Sequence, residues 1–363
     1  MKSRDTYAEV NTGIFLRNIF EISKRSGTHV APVLKADAYG HGAVKLAQVC
    51  EQNGIGFLIV AFLEEAIEIR ESGVLLPILV LNYFNPKYAK TALFNDLSVT
   101  IFSKDQKDAI SAYLDEDDRL KVHLKVDTGM GRLGPTANEA FELYDDIQKD
   151  KKFIFEGIYT HFSAADDPSD VLNAHQVDEF NEFIKKIKKP KYVHISNSAA
   201  ATCLDIKVGN FSRIGIAAYG LQPSGRIKID YLEPVMSVHS TVAFMKSIDQ
   251  GRTIGYGHTF TADKKMKVAT VPFGYADGLP RSLSNRGHVL LNGKRAKILG
   301  RISMDQIVVD VSNIENVKIG DDVVIIGKSG KDEITSEEIA ELAGTINYEV
   351  VCGISKRVPR IYI

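Results

Sequence analysis

The sequence predicts an α/β protein in two parts: an N-terminal (β/α)8 barrel of the TIM type, then a mainly-β C-terminal domain. Three observations carry this. Short apolar runs recur near residues 30–35, 56–61, 77–82, 98–102, 120–126, 153–160, 192–196 and 213–217, which makes eight. Amphipathic helical stretches such as 63–70 and 177–184 lie between most of them, and alternation of this kind indicates a parallel sheet. From about Glu233 helical periodicity gives way to β-branched alternation. Eight βα units make a closed barrel the economical arrangement, with an open doubly wound sheet as the alternative.

Taken in order, residues 1–10 contain a strand-like run, Thr6 to Val10, expected to pack with the C-terminal domain. Residues 11–232 form the expected barrel. Its first helix is signalled by Ile14, Leu16, Ile19, Phe20 and Ile22 at helical spacing. Next, Val30 to Leu34 is an apolar run that suits a buried strand, and it ends directly on Lys35. Residues 233–363 form the β-domain, with strands expected within 235–248, 266–273, 289–311 and 322–326. Gly287, Asn292-Gly293 and Gly320-Asp321 supply turn chemistry between them. One helix is expected to interrupt, opened by the capping box Thr335-Ser336-Glu337-Glu338.

Composition excludes several functions. The 363 residues are 25% charged with a formal net charge of −1, so no nucleic-acid partner or anionic membrane surface is expected. The longest apolar run, Val74 to Leu81, contains Pro77 and is too short to span a bilayer, and no apolar leader follows Met1. Cys50, Cys203 and Cys352 have no ligand-like spacing, so neither a metal site nor a disulfide framework is expected, and a reducing cytoplasm fits.

Barrels bind ligands where their strands end. Strand one delivers Lys35 and then Tyr39; strand five delivers Lys125 and Asp127, followed by Gly129-Met130-Gly131-Arg132-Leu133-Gly134. Strand six gives His161, strand seven Asn197 and Ser198, and strand eight Arg213, Gly215 and Ile216. Each has an ordinary reading too. A lysine is usually solvated or salt-bridged, His161 can be a hydrogen-bonded structural histidine, and Asn197-Ser198 can simply cap a helix. Arg213 can be half of a buried ion pair. The glycines 129, 131 and 134 match a dinucleotide fingerprint but sit in the fifth βα unit with no acid ending the next strand. In the β-domain, Gly255-Tyr256-Gly257 reads as a hairpin turn with an exposed aromatic. Together these residues supply an amine, phosphate donors and acid–base tyrosines, the parts of a site for pyridoxal 5'-phosphate.

The ordered motifs extend the likeness over essentially the whole chain: Val33 to Gly42, Lys125 to Gly134, His194 to Ala200, Arg213 to Ile216, Gly255-Tyr256-Gly257, Ser303 to Gln306 and Ile346 to Glu349. On these residues the sequence resembles the alanine racemases, the barrel type (fold type III) of pyridoxal-phosphate enzyme. The resemblance implies interconversion of L- and D-alanine by two bases, Lys35 and Tyr256, the tyrosine being supplied by the other subunit of a homodimer. It implies cofactor contacts from Lys35, Tyr39, His161, Asn197, Ser198, Arg213, Gly215, Ile216 and Tyr348. It also implies substrate contacts from Arg132, Met304 and Tyr275, and carbamylation of Lys125. Ser303 departs from the family pattern, where many members carry cysteine. A related racemase acting on serine or a broader amino-acid set is the alternative. A decarboxylase of the same fold ranks lower because strand eight offers Arg213 rather than an acid, and a cofactor carrier would hardly need the β-domain.

Overall fold

A computed structural model describes residues 4–363; residues 1–3 of the N-terminal segment lie outside the described part. The chain forms two compact units. One comprises Phe15–Ala38 and Gly42–Leu232; the other comprises the described part of Met1–Ile14, Tyr39–His41 and Glu233–Ile363.

Strand β1 (Tyr7–Val10) belongs to the second unit, and eight parallel strands build the first. These are β2 (His29–Pro32), β3 (Leu58–Val60), β4 (Ile78–Val80), β5 (Leu97–Ile101), β6 (Leu120–Lys125), β7 (Phe153–Tyr159), β8 (Tyr192–His194) and β9 (Phe211–Ile214). β3 to β8 pair in sequence order and β2 pairs with β9. Two short junctions close the ring. Leu34 N donates to Ile59 O at 2.7 Å, and Asn210 N and Arg213 N donate to Val193 O and Ser196 O. β3, β4 and β5 are buried at every residue, as strands are when helices cover one face and the barrel interior fills the other. The helices are α1 (Thr12–Ser26), α3 (Ala43–Gln52), α4 (Leu63–Glu71), α5 (Ala89–Phe94), α6 (Lys104–Ser111), α7 (Ala137–Lys149), α8 (Val171–Lys185) and α9 (Ser198–Cys203). Ser103 and Asp170 cap α6 and α8 by accepting from Gln106 N and Leu172 N.

Two local departures from regularity mark the barrel. The first is α2 (Lys35–Tyr39), which is left-handed: Ala36, Asp37 and Ala38 have φ/ψ near +53°/+50°, and Tyr39 has φ 52°. An L-residue in this conformation costs roughly 1–2 kcal/mol, so four in a row need support. Ala38 N donates to Leu34 O, Gly42 N to Asp37 O, Ala43 N to the Asp37 carboxylate and Ala36 N to the Glu65 carboxylate. The sequence carries no signal for this turn, because no propensity rule anticipates Ala36, Asp37, Ala38 and Tyr39 in succession at positive φ.

The second departure is a β-bulge. Val122 pairs with Phe155 but His123 pairs with Gly157, so Glu156 is an extra residue in β7. Phe155 consequently faces outward, packing edge-on against Tyr144 of α7, while Glu156 turns inward toward Ser98 and His123. Gly157 has no room for a side chain, since a Cβ there would lie 2.2 Å from His123 Nδ1.

In the second unit, β10 (Met236–Thr241), β11 (Phe244–Ile248), β14 (Met266–Val271), β15 (His288–Leu291), β16 (Lys294–Leu299), β17 (Ile307–Asp310), β18 (Asp322–Ser329) and β20 (Arg360–Tyr362) join β1 in one sheet, and β19 (Asp332–Ile334) pairs with β18. β1 lies between β10 and β20. Asn292 and Gly293, both at positive φ, turn β15 into β16, the residue pair a tight hairpin requires. β12 (Thr253–Ile254) and β13 (Phe260–Thr261) form a separate small hairpin. Thr335 caps α10 (Ser336–Ala343) by accepting from Glu338 N. A second helix, α11 (Asn347–Gly353), follows the one the sequence predicts. Its seven residues are too few for helical periodicity to register.

Gly157→Ala is expected to lower stability by about 1–3 kcal/mol, the range for overpacking a filled core, measured as a shift in the urea unfolding midpoint. Wild-type stability would mean that His123 can move aside.

Candidate active site

The barrel rim gathers most of the predicted residues. Arg213, at the end of β9, is buried and makes no ion pair among the described residues. Its Nη2 donates to Thr160 O at 2.8 Å, Ile195 O at 3.2 Å and His161 Nδ1 at 3.1 Å; Nη1 meets His194 Nδ1 at 2.9 Å. A guanidinium has five donors and no acceptor. Both Nδ1 atoms must therefore accept, which makes His161 and His194 neutral rings protonated on Nε2. Their pKa values lie well below the ordinary histidine value because burial and the Arg213 charge both oppose a second cation. Arg213 itself is pulled down to about 10 by burial, so it stays charged at neutral pH.

The chain of bonds continues. His194 Nε2 meets His123 Nδ1 at 2.9 Å, and His123 Nε2 meets the Glu156 carboxylate at 3.3 Å. His194 donates its only ring proton, so His123 accepts on Nδ1 and carries its own proton on Nε2, toward Glu156. Aromatic packing holds the rings: His194 lies between Tyr159 and Phe211, stacked at 4.8 and 4.3 Å. Tyr159 is buried and remains a neutral phenol, its pKa pushed up to about 12. Arg213 Cζ and Lys125 Nζ both stand near its ring, at 5.1 and 5.6 Å from the centroid.

Lys125 ends β6, buried, with Nζ donating to Val126 O at 2.7 Å. Burial, helped by the Arg213 charge and opposed by Asp127, pulls its pKa down to about 7. An amine with its pKa so lowered gives up its proton more readily than an ordinary lysine and can act as a nucleophile. Asp127 is occupied differently: its carboxylate accepts from the backbone N–H groups of Gly129, Met130 and Gly131. Burial favours its neutral form, but those donors and Lys125 outweigh it and hold the carboxyl below the usual aspartate range. This disposes of the dinucleotide reading, because the loop's N–H groups point at Asp127 and helix α7 opens only at Ala137. The positive charges of Lys35, Lys125, Arg132 and Arg213 all bear on His161, so the rim is cationic.

At strands seven and eight, Asn197 caps α9 by accepting from Ala200 N, as its ordinary reading held. The Ser198 hydroxyl gathers the N–H groups of Gly215 (3.0 Å) and Ala217 (3.4 Å), next to Ile216. The remaining predicted residues belong to the second unit. Tyr39 and Tyr348 face each other with ring centroids 6.1 Å apart. Tyr256 stands at the tip of the β12–β13 hairpin, 70% exposed, and Gly257 beside it leaves the space that the Arg301 guanidinium fills. Tyr275 and Met304 lie on adjoining loops joined by Tyr275 N to Ser303 O and Ala276 N to Met304 O. Arg357 pairs with Asp305 at 2.7 Å. Sequence reasoning missed His123 and Glu156. The available signal was a charged residue inside the apolar run 153–160, which alternation alone would have turned outward.

Among the described residues no helix is long and apolar enough to cross a membrane, and no cluster could hold a metal ion.

The backbone amides of Gly129, Met130 and Gly131 are expected to titrate together in proton–nitrogen spectra. Because the Asp127 pKa is depressed, their hydrogen bonds persist above the ordinary aspartate value of about 3.9 and are lost only below it. A midpoint at or above that value would mean that the loop does not hold the carboxylate.

Known proteins match this chain along its length. The model of the alanine racemase N-terminal domain matches residues 10–223, and that of the alanine racemase C-terminal domain residues 235–362. The alanine racemase of Pediococcus pentosaceus is 42% identical over 94% of this chain and 92% of its own length. That of Carboxydothermus hydrogenoformans is 40% identical over 99% and 100%. Among solved structures, alanine racemase from E. faecalis superposes with a TM-score of 0.95 at 39% identity, covering 100% of this chain and 99% of its own. The Bacillus anthracis enzyme with bound L-Ala-P gives 0.93 at 37%, covering 100% and 96%. The chain belongs to the alanine racemase family.

Proposed function

We propose that this member of the alanine racemase family interconverts L- and D-alanine with pyridoxal 5'-phosphate, supplying D-alanine for peptidoglycan. The observation that carries the reading is Arg213, a buried guanidinium whose histidine partners only accept, at the rim where strand one delivers Lys35. The donor set also fits the cofactor: a cationic rim suits an anionic phosphate, and the Ser198 hydroxyl and the Gly215 and Ile216 backbone would bind it. Tyr39 and Tyr348 would add their hydroxyls, and Asn197 would fix the start of α9. The cofactor, when bound, supplies an electron sink for the pair released when the substrate Cα–H bond breaks.

The residues divide the remaining work. Lys35 would carry the cofactor covalently and move the Cα proton on one face. Tyr256 of a second copy would do so on the other face, so the active enzyme is a homodimer. The exposed hairpin tip that presents Tyr256 suits such sharing. Arg213 has only donors, so it would offer the cofactor's ring nitrogen a hydrogen bond and no proton acceptor, which would weaken the sink and favour return of the proton to Cα over transamination. Arg132 would hold the substrate carboxylate, with Tyr275 and Met304 limiting the space for its side chain. Neutral His161 would relay the effect of Arg213 toward the tyrosine. Lys125, its pKa lowered by burial, would take up carbon dioxide with loss of a proton and become an anion that orients Arg132.

Tyr256→Phe is expected to keep the cofactor's visible absorbance and lose about 10²–10⁴-fold in racemisation. Lys35→Ala should lose both absorbance and turnover. Mixing the two inactive variants should restore activity through heterodimers carrying one intact site, whereas a mixture that stays inactive rules out the shared site. A racemisation panel across the amino acids tests the substrate, and a preference for a bulky side chain would reject alanine. For Lys125, a carbamate carbon resonance is expected after exposure to carbon-13 bicarbonate, absent in Lys125→Arg; wild-type enzyme without that signal is not carbamylated.

A further inference from the structure

A relay of four hydrogen-bonding groups runs through the barrel interior from β7 to β9: Glu156, His123, His194 and Arg213. Its two ends are chemically opposite. A carboxylate can only accept and a guanidinium can only donate, so all the protons between them point toward Glu156. A single inversion in the middle would set two N–H groups against each other. In a buried site with no alternative partner such a mismatch costs about 1–3 kcal/mol.

The fold makes room for this arrangement at the Glu156 end. The bulge in β7 turns Glu156 into the barrel, where regular alternation would have turned it out. Ser98 on β5 donates its hydroxyl to the same carboxylate oxygen as His123. The missing Cβ of Gly157 leaves the space in which the His123 ring sits. Phe57, Tyr192 and Phe211 pack around the two histidines, with Phe211 stacked on His194 and Tyr192 stacked on His123. Burial lowers the pKa of His123, the adjacent Glu156 opposes that, and Arg213 adds to it, so the ring is neutral, as the relay requires.

We propose that Glu156 is a positioning residue for the reaction: as the obligatory acceptor at the far end of the relay, it fixes the proton on His123, so that His123 accepts the His194 proton that Arg213 imposes and the relay holds His194 and Arg213 in line. This rests on the function proposed above, in which Arg213 faces the cofactor ring. Glu156 touches neither cofactor nor substrate and acts through three intervening side chains.

Glu156→Gln is the test, since it keeps size and hydrogen bonding but can either donate or accept. Nitrogen-15 histidine spectra of the holoenzyme should report a single Nε2–H form for both His123 and His194 in the wild type. In Glu156→Gln the His123 ring should show a mixture of Nε2–H and Nδ1–H forms, while His194, which Arg213 obliges to accept on Nδ1, stays Nε2–H. kcat for alanine should fall by about threefold to tenfold, at or below the lower end for partners directly behind a first ligand shell because three side chains intervene, with KM within about twofold. An Nδ1–H ring in the wild type overturns the proposal without any variant, so the test survives if Glu156→Gln fails to fold. Unchanged tautomers in the variant, or altered tautomers with wild-type kcat, overturn it too. A wild-type protein with the expected tautomers and no alanine racemisation would instead sink the proposed function and leave the relay standing.

Discussion

A guanidinium buried without a carboxylate is the constraint on which the barrel interior depends. Arg213 cannot accept and stays charged, so every group around it must present a lone pair. Two backbone carbonyls and two histidine Nδ1 atoms do so. That requirement spreads outward through ring nitrogens, each of which has one proton to give and one lone pair to offer. It ends where a carboxylate, Glu156, can take the last proton. The charge of Arg213 thus has a distant counterpart rather than an adjacent one.

The same electrostatics govern the neighbours. Lys125 shares the buried region with Arg213, and two cations in a poorly solvated space raise each other's free energy. Lys125 yields because an amine can lose its proton and a guanidinium effectively cannot. Asp127, the nearest acid, is taken up by three N–H groups of its own loop, so it moderates the cationic rim without neutralising it. An anionic ligand would be drawn to such a site, and a metal ion would be repelled.

Two local irregularities serve the same network, one at the rim and one inside the barrel. The left-handed α2 runs directly on from Lys35 and is held by carboxylates from its own turn and from α4. The bulge in β7 interrupts a parallel pair that would otherwise be regular. Neither feature adds stability of its own. Both aim particular side chains, and strain that aims a side chain persists only where the surrounding structure over-determines it.

Much was determined by the sequence alone. Eight apolar runs separated by amphipathic helices impose a parallel barrel because strands buried on both faces leave a continuous hydrophobic signal. Lys35, Lys125, His161, Ser198 and Arg213 were legible as rim residues because each follows such a run. Short elements escaped for want of period: α11 has seven residues, and α2 obeys no propensity rule. The relay could not be read from the chain either. His123, Glu156 and His194 are far apart in sequence, and one extra residue in β7 decides which way Glu156 faces. Periodicity specifies which residues are buried; only tertiary pairing specifies which lone pair meets which proton.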